Sequence, residues 1–256
     1  MPLYRDNSSR LSRIKDLVAS NYSHSIWEDR DDGPDMEVIK RGFFLRLELN
    51  LDALAERDWR ALLQKVIPIF KRRHVVSGRD RGWQLAFDIF NEAEAYRWLA
   101  SKGFADLQFI PELGNKRTPD IAAFYRQEKW LCEVKTVNLS DKEIELRTGT
   151  KVRESSDRLE DSFLNTKLKC LIEQAGRQFE NHSSERRLLI IIFNFDDSLH
   201  EFVESHLEQI QTYLIKNKTG EFDFALLARP FGNMHTLPMK EWLVPAQRSL
   251  DTYYLL

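Results

Sequence analysis

Cysteine is nearly missing from the 256-residue chain, which has only Cys132 and Cys170. Two thiols make neither a disulfide framework nor a cysteine metal cluster, and they suit a reducing compartment. No apolar run is long enough to span a bilayer, and the opening MPLYRDNSSRLSR holds no apolar signal core. The expectation is a cytoplasmic protein with no membrane partner. A strong excess of one charge is missing too. The net charge of -2 means that any nucleic-acid binding must come from a local basic patch. There is no Walker loop, no G-x-G-x-x-G, no G-x-S-x-G and no cysteine set for an iron–sulfur cluster. These absences argue against an ATP-driven motor or an iron–sulfur nuclease in this chain alone.

The composition that remains is that of an ordinary globular protein, with 42% hydrophobic and 30% charged residues. The length suits one large domain or a core with an extension. In SSRLSRIKDLVASNY, Leu11, Ile14, Leu17 and Val18 recur at helical spacing, with Ser8 or Ser9 as the N-cap. EDRDDGPD reads as an acidic turn, and GFFLRLELNL as a strand on the alternation of Phe44, Arg46 and Glu48. LDALAERDWRALLQKVIPIF reads as an amphipathic helix broken near Pro68. The boundary between an N-terminal α/β extension (1–80) and a core domain (81–256) is set at the basic stretch FKRRHVVSGRDRGW. That stretch is either a phosphate-contacting patch or a solvated linker.

The core pattern is sharper. QLAFDIFNEAEAYRWLASKGF reads as a helix, with Phe87, Phe90, Ala93 and Trp98 or Leu99 on one face and Gly103 as its stop. FADLQFIPE, DIAAFYRQ and KWLCEVKTVN read as strands, and EDSFLNTKLKCLIEQAGRQFENH as a long helix. RRLLIIIFNF reads as a strand buried on both faces. A helix, HEFVESHLEQIQTYLIKN, and a final strand, FDFALLARP, complete the order. Three consecutive strands followed by a helical crossover imply an α/β fold with a central mixed sheet flanked by helices.

One constellation carries chemistry. Glu133 and Lys135 are two apart on a strand and share a face, while Cys132 and Val134 point the other way. If DIAAFYRQ and KWLCEVKTVN pair as a hairpin through RQEK, Asp120 falls near Glu133. Two carboxylates in one place repel each other unless a cation lies between them, and hard oxygen ligands suit Mg²⁺ or Mn²⁺. A neighbouring ammonium can hold a water and offset charge on a phosphate. The alternative for each is bland: Asp120 as a turn residue after Pro119, and Glu133 with Lys135 as a solvated pair. Against this, Trp130, Leu131, Cys132 and Val134 make the strand look internal, where an unemployed Glu–Lys pair is costly.

Pro119-Asp120 followed by Glu133-Val134-Lys135 resembles the PD-(D/E)XK nuclease superfamily, with its restriction-endonuclease-like fold. NEAEAYRWLASKGF resembles the opening helix of archaeal-type Holliday-junction resolvases. The resemblance spans roughly 83–195. It implies a metal-dependent endonuclease acting on DNA phosphodiesters, with Asp120, Glu133 and the Val134 carbonyl as ligands of one or two Mg²⁺ or Mn²⁺ ions. It further implies Glu92, rather than Glu94, as the helix carboxylate reaching the metal through water, and Lys135 as the group that positions the nucleophile. The later helix, with Lys167, Lys169, Gln174 and Gln178, resembles the one that lines the cleft, so Gln178 joins the candidate site. DNA, branched or duplex, is the implied partner, with a second copy or another subunit as further options. The runner-up is a catalytically silent nucleic-acid-binding or assembly module on the same fold.

Other motifs count for less. GPDMEVIK offers Pro34-Asp35, Glu37 and Lys40 at the wrong spacing and reads as an acidic loop. Lys151 and Arg153 are ringed by Glu143, Glu145, Glu154 and Asp157 and read as solvated surface. His200 and His206 are too far apart for a helical zinc pair and read as helix surface. Asp196 and Asp197 read as a turn and N-cap.

Overall fold

The computed structural model describes residues 9–19, 44–71, 76–77, 80–81, 84–111, 117–137, 157–180, 182, 185–194, 202–217, 222–229 and 240–244. The acidic turn, the Pro34-Asp35 pattern, Arg72, Arg73, Arg79, Lys151, Arg153, Asp196, Asp197 and His200 lie outside them. The chain forms two compact units, Met1–Trp98 and Leu99–Leu256. The division falls inside a helix, after Trp98 and not at the basic stretch.

The first unit is mainly helical. Helix α1 (Arg10–Ala19) starts on Ser9, whose hydroxyl oxygen accepts from the Ser12 N–H at 3.1 Å, and it buries Leu11, Ile14 and Val18. Residues 44–52 form helix α2, not the expected strand. Phe44, Leu47, Leu51 and Leu54 are buried three or four residues apart, which is a helical period. The apparent alternation of strand formers lost to that burial pattern. The Arg10 guanidinium donates to the Leu51 and Leu54 carbonyls at 2.5 and 2.7 Å, just where α2 ends.

Helix α3 (Glu56–Phe70) has Glu56 and Asp58 in its first turn, where negative charge suits the helix dipole. It continues past Pro68 instead of breaking there. Pro68 sits near the end, where the missing N–H costs only the bond to Gln64, and both residues are on the exposed side. Two-residue strands β1 (Val76–Ser77) and β2 (Asp80–Arg81) pair antiparallel within the basic stretch. Helix α4 (Gln84–Ser101) is buried nearly all round, including Asn91 and Glu94 as well as Phe90, Ala93 and Tyr96.

The second unit is built on a six-stranded mixed sheet in the order β3-β4-β5-β6-β7-β8. Gly103, at φ 83°, ends α4: its N–H bonds the Ala100 carbonyl and that of Phe104 the Leu99 carbonyl. Strands β3 (Ala105–Phe109), β4 (Ile121–Tyr125) and β5 (Glu128–Val137) form an antiparallel meander. The β4–β5 turn is Arg126–Gln127, both at positive φ (50° and 70°), as a tight two-residue hairpin requires.

A crossover containing a π-helical segment, Phe163–Leu168, and helix α5 (Lys169–Phe179) brings β6 (Arg186–Asn194) parallel to β5. Helix α6 (Val203–Lys216) leads to β7 (Asp223–Arg229), parallel to β6. Strand β8 (Lys240–Val244) then pairs antiparallel with β7, so FDFALLARP is not the last strand. The fold is α/β with a central mixed sheet. Leu131 and Val137 of β5, Leu189, Ile191 and Phe193 of β6, and Phe224 and Leu226 of β7 share one core. It is closed by Ile172, Ala175 and Phe179 of α5 and by Leu207, Ile210 and Leu214 of α6. His206 is 2% exposed, so it belongs to the buried side of α6 and not to its surface. It stands beside Leu207 and its ring lies 6.3 Å from that of Phe202.

Candidate metal centre

The hairpin register decides the site. Ile121 pairs with Cys132, so Asp120, the residue just before β4, comes to the Cys132–Val134 stretch of β5, where its charge acts on Glu133. Beyond Cys132 the ladder with β4 stops, while β5 remains paired to β6 as far as Val137. The Val134 N–H therefore looks toward a side with no strand partner. Asp120 supplies the acceptor: its Oδ2 receives the Val134 N–H at 2.7 Å, and its own N–H donates to the Cys132 carbonyl at 3.0 Å. A strand residue points its N–H and C=O to the same side, so the Val134 carbonyl also faces the Asp120 side.

Glu133 lies on the α5 side of the sheet, on the same β5 face as Leu131 and Val137. Its side chain is 1% exposed. The Lys135 ammonium approaches its Oε1 at 2.6 Å, and the Lys135 side chain is 19% exposed. Neither Glu133 oxygen has a hydrogen bond of proper angle, although the Lys135 ammonium and the Asp120 carboxyl both stand within hydrogen-bonding reach of it. Burial, and then the facing charge of Asp120, push the Glu133 carboxyl up to about 9; Lys135 pulls it down and offsets only part of this. Burial also raises the Cys132 thiol, with Asp120 adding to it.

The donor set fits a hard divalent cation. A buried carboxyl has a second carboxylate beside it, and a backbone carbonyl faces the same side. A cation there would offset the burial, and then the repulsion from Asp120, that raise Glu133. Among the described residues no group of three or more His, Cys, Asp or Glu side chains is gathered. A metal would therefore depend on the two carboxylates, the carbonyl and water.

The fold thus brings Asp120, Glu133, Val134 and Lys135 together. Glu92 belongs to the first unit, where its Oε2 pairs with the Lys65 ammonium at 2.9 Å. Lys65 was not singled out in the sequence. Residues 27 apart on two helices carry no local signal of pairing. Glu94 is more buried than Glu92. Gln178 is half-buried near the end of α5, and its Oε1 is buried without a hydrogen-bond partner. Gln174 is exposed and donates to the Cys170 sulfur at 3.3 Å. Lys169 is exposed, 4.0 Å from Glu173, as a solvated helix pair would be, and Lys167 is half-buried in the π-helical segment. Of the basic stretch, Lys71 is exposed. Comparison of the chain with protein-family models, curated proteins and solved structures returns no match.

Proposed function

We propose that the chain is a metal-dependent deoxyribonuclease of PD-(D/E)XK type, acting in the cytoplasm. One observation carries the reading: Asp120 faces the buried, hydrogen-bond-poor Glu133, with the Lys135 ammonium 2.6 Å from it, where the β4–β5 ladder ends. The order of three antiparallel strands, helix, parallel strand, helix and parallel strand supports it. Bound Mg²⁺ or Mn²⁺ would supply Lewis-acid polarisation of the phosphate and acidify a water. Asp120 and Glu133 provide the negative charge that holds the ion, and the hydrogen bond to Val134 fixes the Asp120 carboxylate. Lys135, the more exposed of the pair, can orient the attacking water and offset charge that develops on the phosphate.

The test is incubation with supercoiled plasmid in Mg²⁺, Mn²⁺ or EDTA, beside a Lys135→Ala control. Nicking that needs the ion and falls by at least about a hundredfold in the variant is the expected result. A second reading, a silent nucleic-acid-binding module, is favoured by the lack of a third ligating side chain among the described residues. No cleavage of plasmid, branched or single-stranded DNA, or RNA, would select it.

A further inference from the structure

We infer that Lys135 stands in for the divalent cation while the centre is metal-free, so that ion binding and Lys135 release are coupled. The inference rests on the nuclease reading for the identity of the site. The observation behind it is a contact. A carboxyl with 1% of its side chain exposed has an ammonium 2.6 Å from one oxygen. That ammonium comes from the same strand, two residues on, so it needs no other element to arrive there.

An ion coordinated by Glu133 would sit within a carboxylate's width of the ammonium, whichever oxygen it used. Two cations that close, in a largely buried site, repel strongly. With both carboxylates ionised, as ion binding requires, Asp120, Glu133 and Lys135 together carry a net charge of -1; without the lysine charge the same site carries -2. Ligand charge is a main determinant of divalent-ion affinity. An ion brings two positive charges where a competing proton brings one, so loss of the ammonium favours the ion over the proton. Lys135 therefore weakens ion binding while it occupies the centre. The ion, once bound, drives the ammonium off the carboxylate and toward the exposed side, where a phosphate would approach. A lysine that only braced the strand would have the opposite effect, because its loss would loosen the carboxylate and weaken binding.

The test is Mn²⁺ binding to the full chain, followed by electron paramagnetic resonance of the free ion, for wild type, Lys135→Met and Lys135→Arg. Methionine keeps an unbranched chain without charge, and arginine keeps the charge. The expected result is binding about three- to tenfold tighter for Lys135→Met and within about twofold of wild type for Lys135→Arg. A second measurement uses wild type alone: acylation of Lys135 by an N-hydroxysuccinimide ester, read by mass spectrometry, should rise several-fold on adding Mn²⁺. Equal or weaker binding by Lys135→Met, or labelling that Mn²⁺ leaves unchanged or suppresses, overturns the inference and leaves the nuclease reading standing. Absence of Mn²⁺ binding to all three proteins overturns both.

Discussion

Replacing Glu133 by Gln should make the metal-free protein more stable. The folded chain holds this carboxyl near a pKa of about 9, through burial and the facing Asp120, against 4.5 for an ordinary glutamate. Because the folded value lies above the unfolded one, the group costs nothing below pH 4.5, where both states are protonated. Stability then falls as pH rises from 4.5 to about 9, since unfolding lets the carboxyl ionise. At pH 7 the size depends on the interval from 4.5 to 7 and hardly on the exact folded value. At 1.36 kcal/mol per pH unit, that interval is worth about 3 kcal/mol. A side-chain amide does not titrate, so Glu133→Gln recovers that amount. For a unit of this size the melting temperature rises by roughly 6–12 °C. Thermal melts in EDTA at pH 7 and at pH 5 would measure it, and the gap should nearly vanish at pH 5. Saturating Mg²⁺ should close it from the other side, because an ion at 100 times its dissociation constant stabilises wild type by about 2.7 kcal/mol. Coincident melts at pH 7, or a gap as large at pH 5, would refute the account of a buried carboxylate awaiting a cation.

Ile191, fully buried in β6 beside Lys135 in the parallel register, tests the layer beneath the site. Ile191→Ala should cost about 2–5 kcal/mol in urea denaturation, and a loss under 1 kcal/mol would mean that the core is not packed as described. The β4–β5 turn holds two non-glycine residues at positive φ. The double change Arg126→Asn with Gln127→Gly should stabilise the protein by about 1 kcal/mol while leaving the site untouched. A loss of stability in the same denaturation assay would count against that turn.

Much of the second unit was legible because its signals were local. The alternation and length of KWLCEVKTV, the unbroken apolar run of β6 and the helical spacing along α5 each report burial within a few residues. The first unit was less legible where two periods competed: residues 44–52 offer strand formers, but the buried set Phe44, Leu47 and Leu51 is helical. His206 misled in the other way, because a polar side chain gives no sign in sequence that its position faces a core. Strand β8 was missed for want of length, five residues whose strand state depends on an edge of β7 that only the assembled sheet presents.

The amino-acid sequence by itself determined that Glu133 and Lys135 share a face, because the period of a strand is two. It also determined that the two lie on an apolar segment. It could not decide that Asp120 meets them. That required the Arg126–Gln127 turn to set the register that brings the start of β4 to the Cys132–Val134 stretch. Nor could it decide that Glu133 is buried on the face of the sheet that carries the core, since a residue's exposure is set by whichever distant elements pack over it. The chemistry was written in residue types two apart; the electrostatics that makes it usable came from packing.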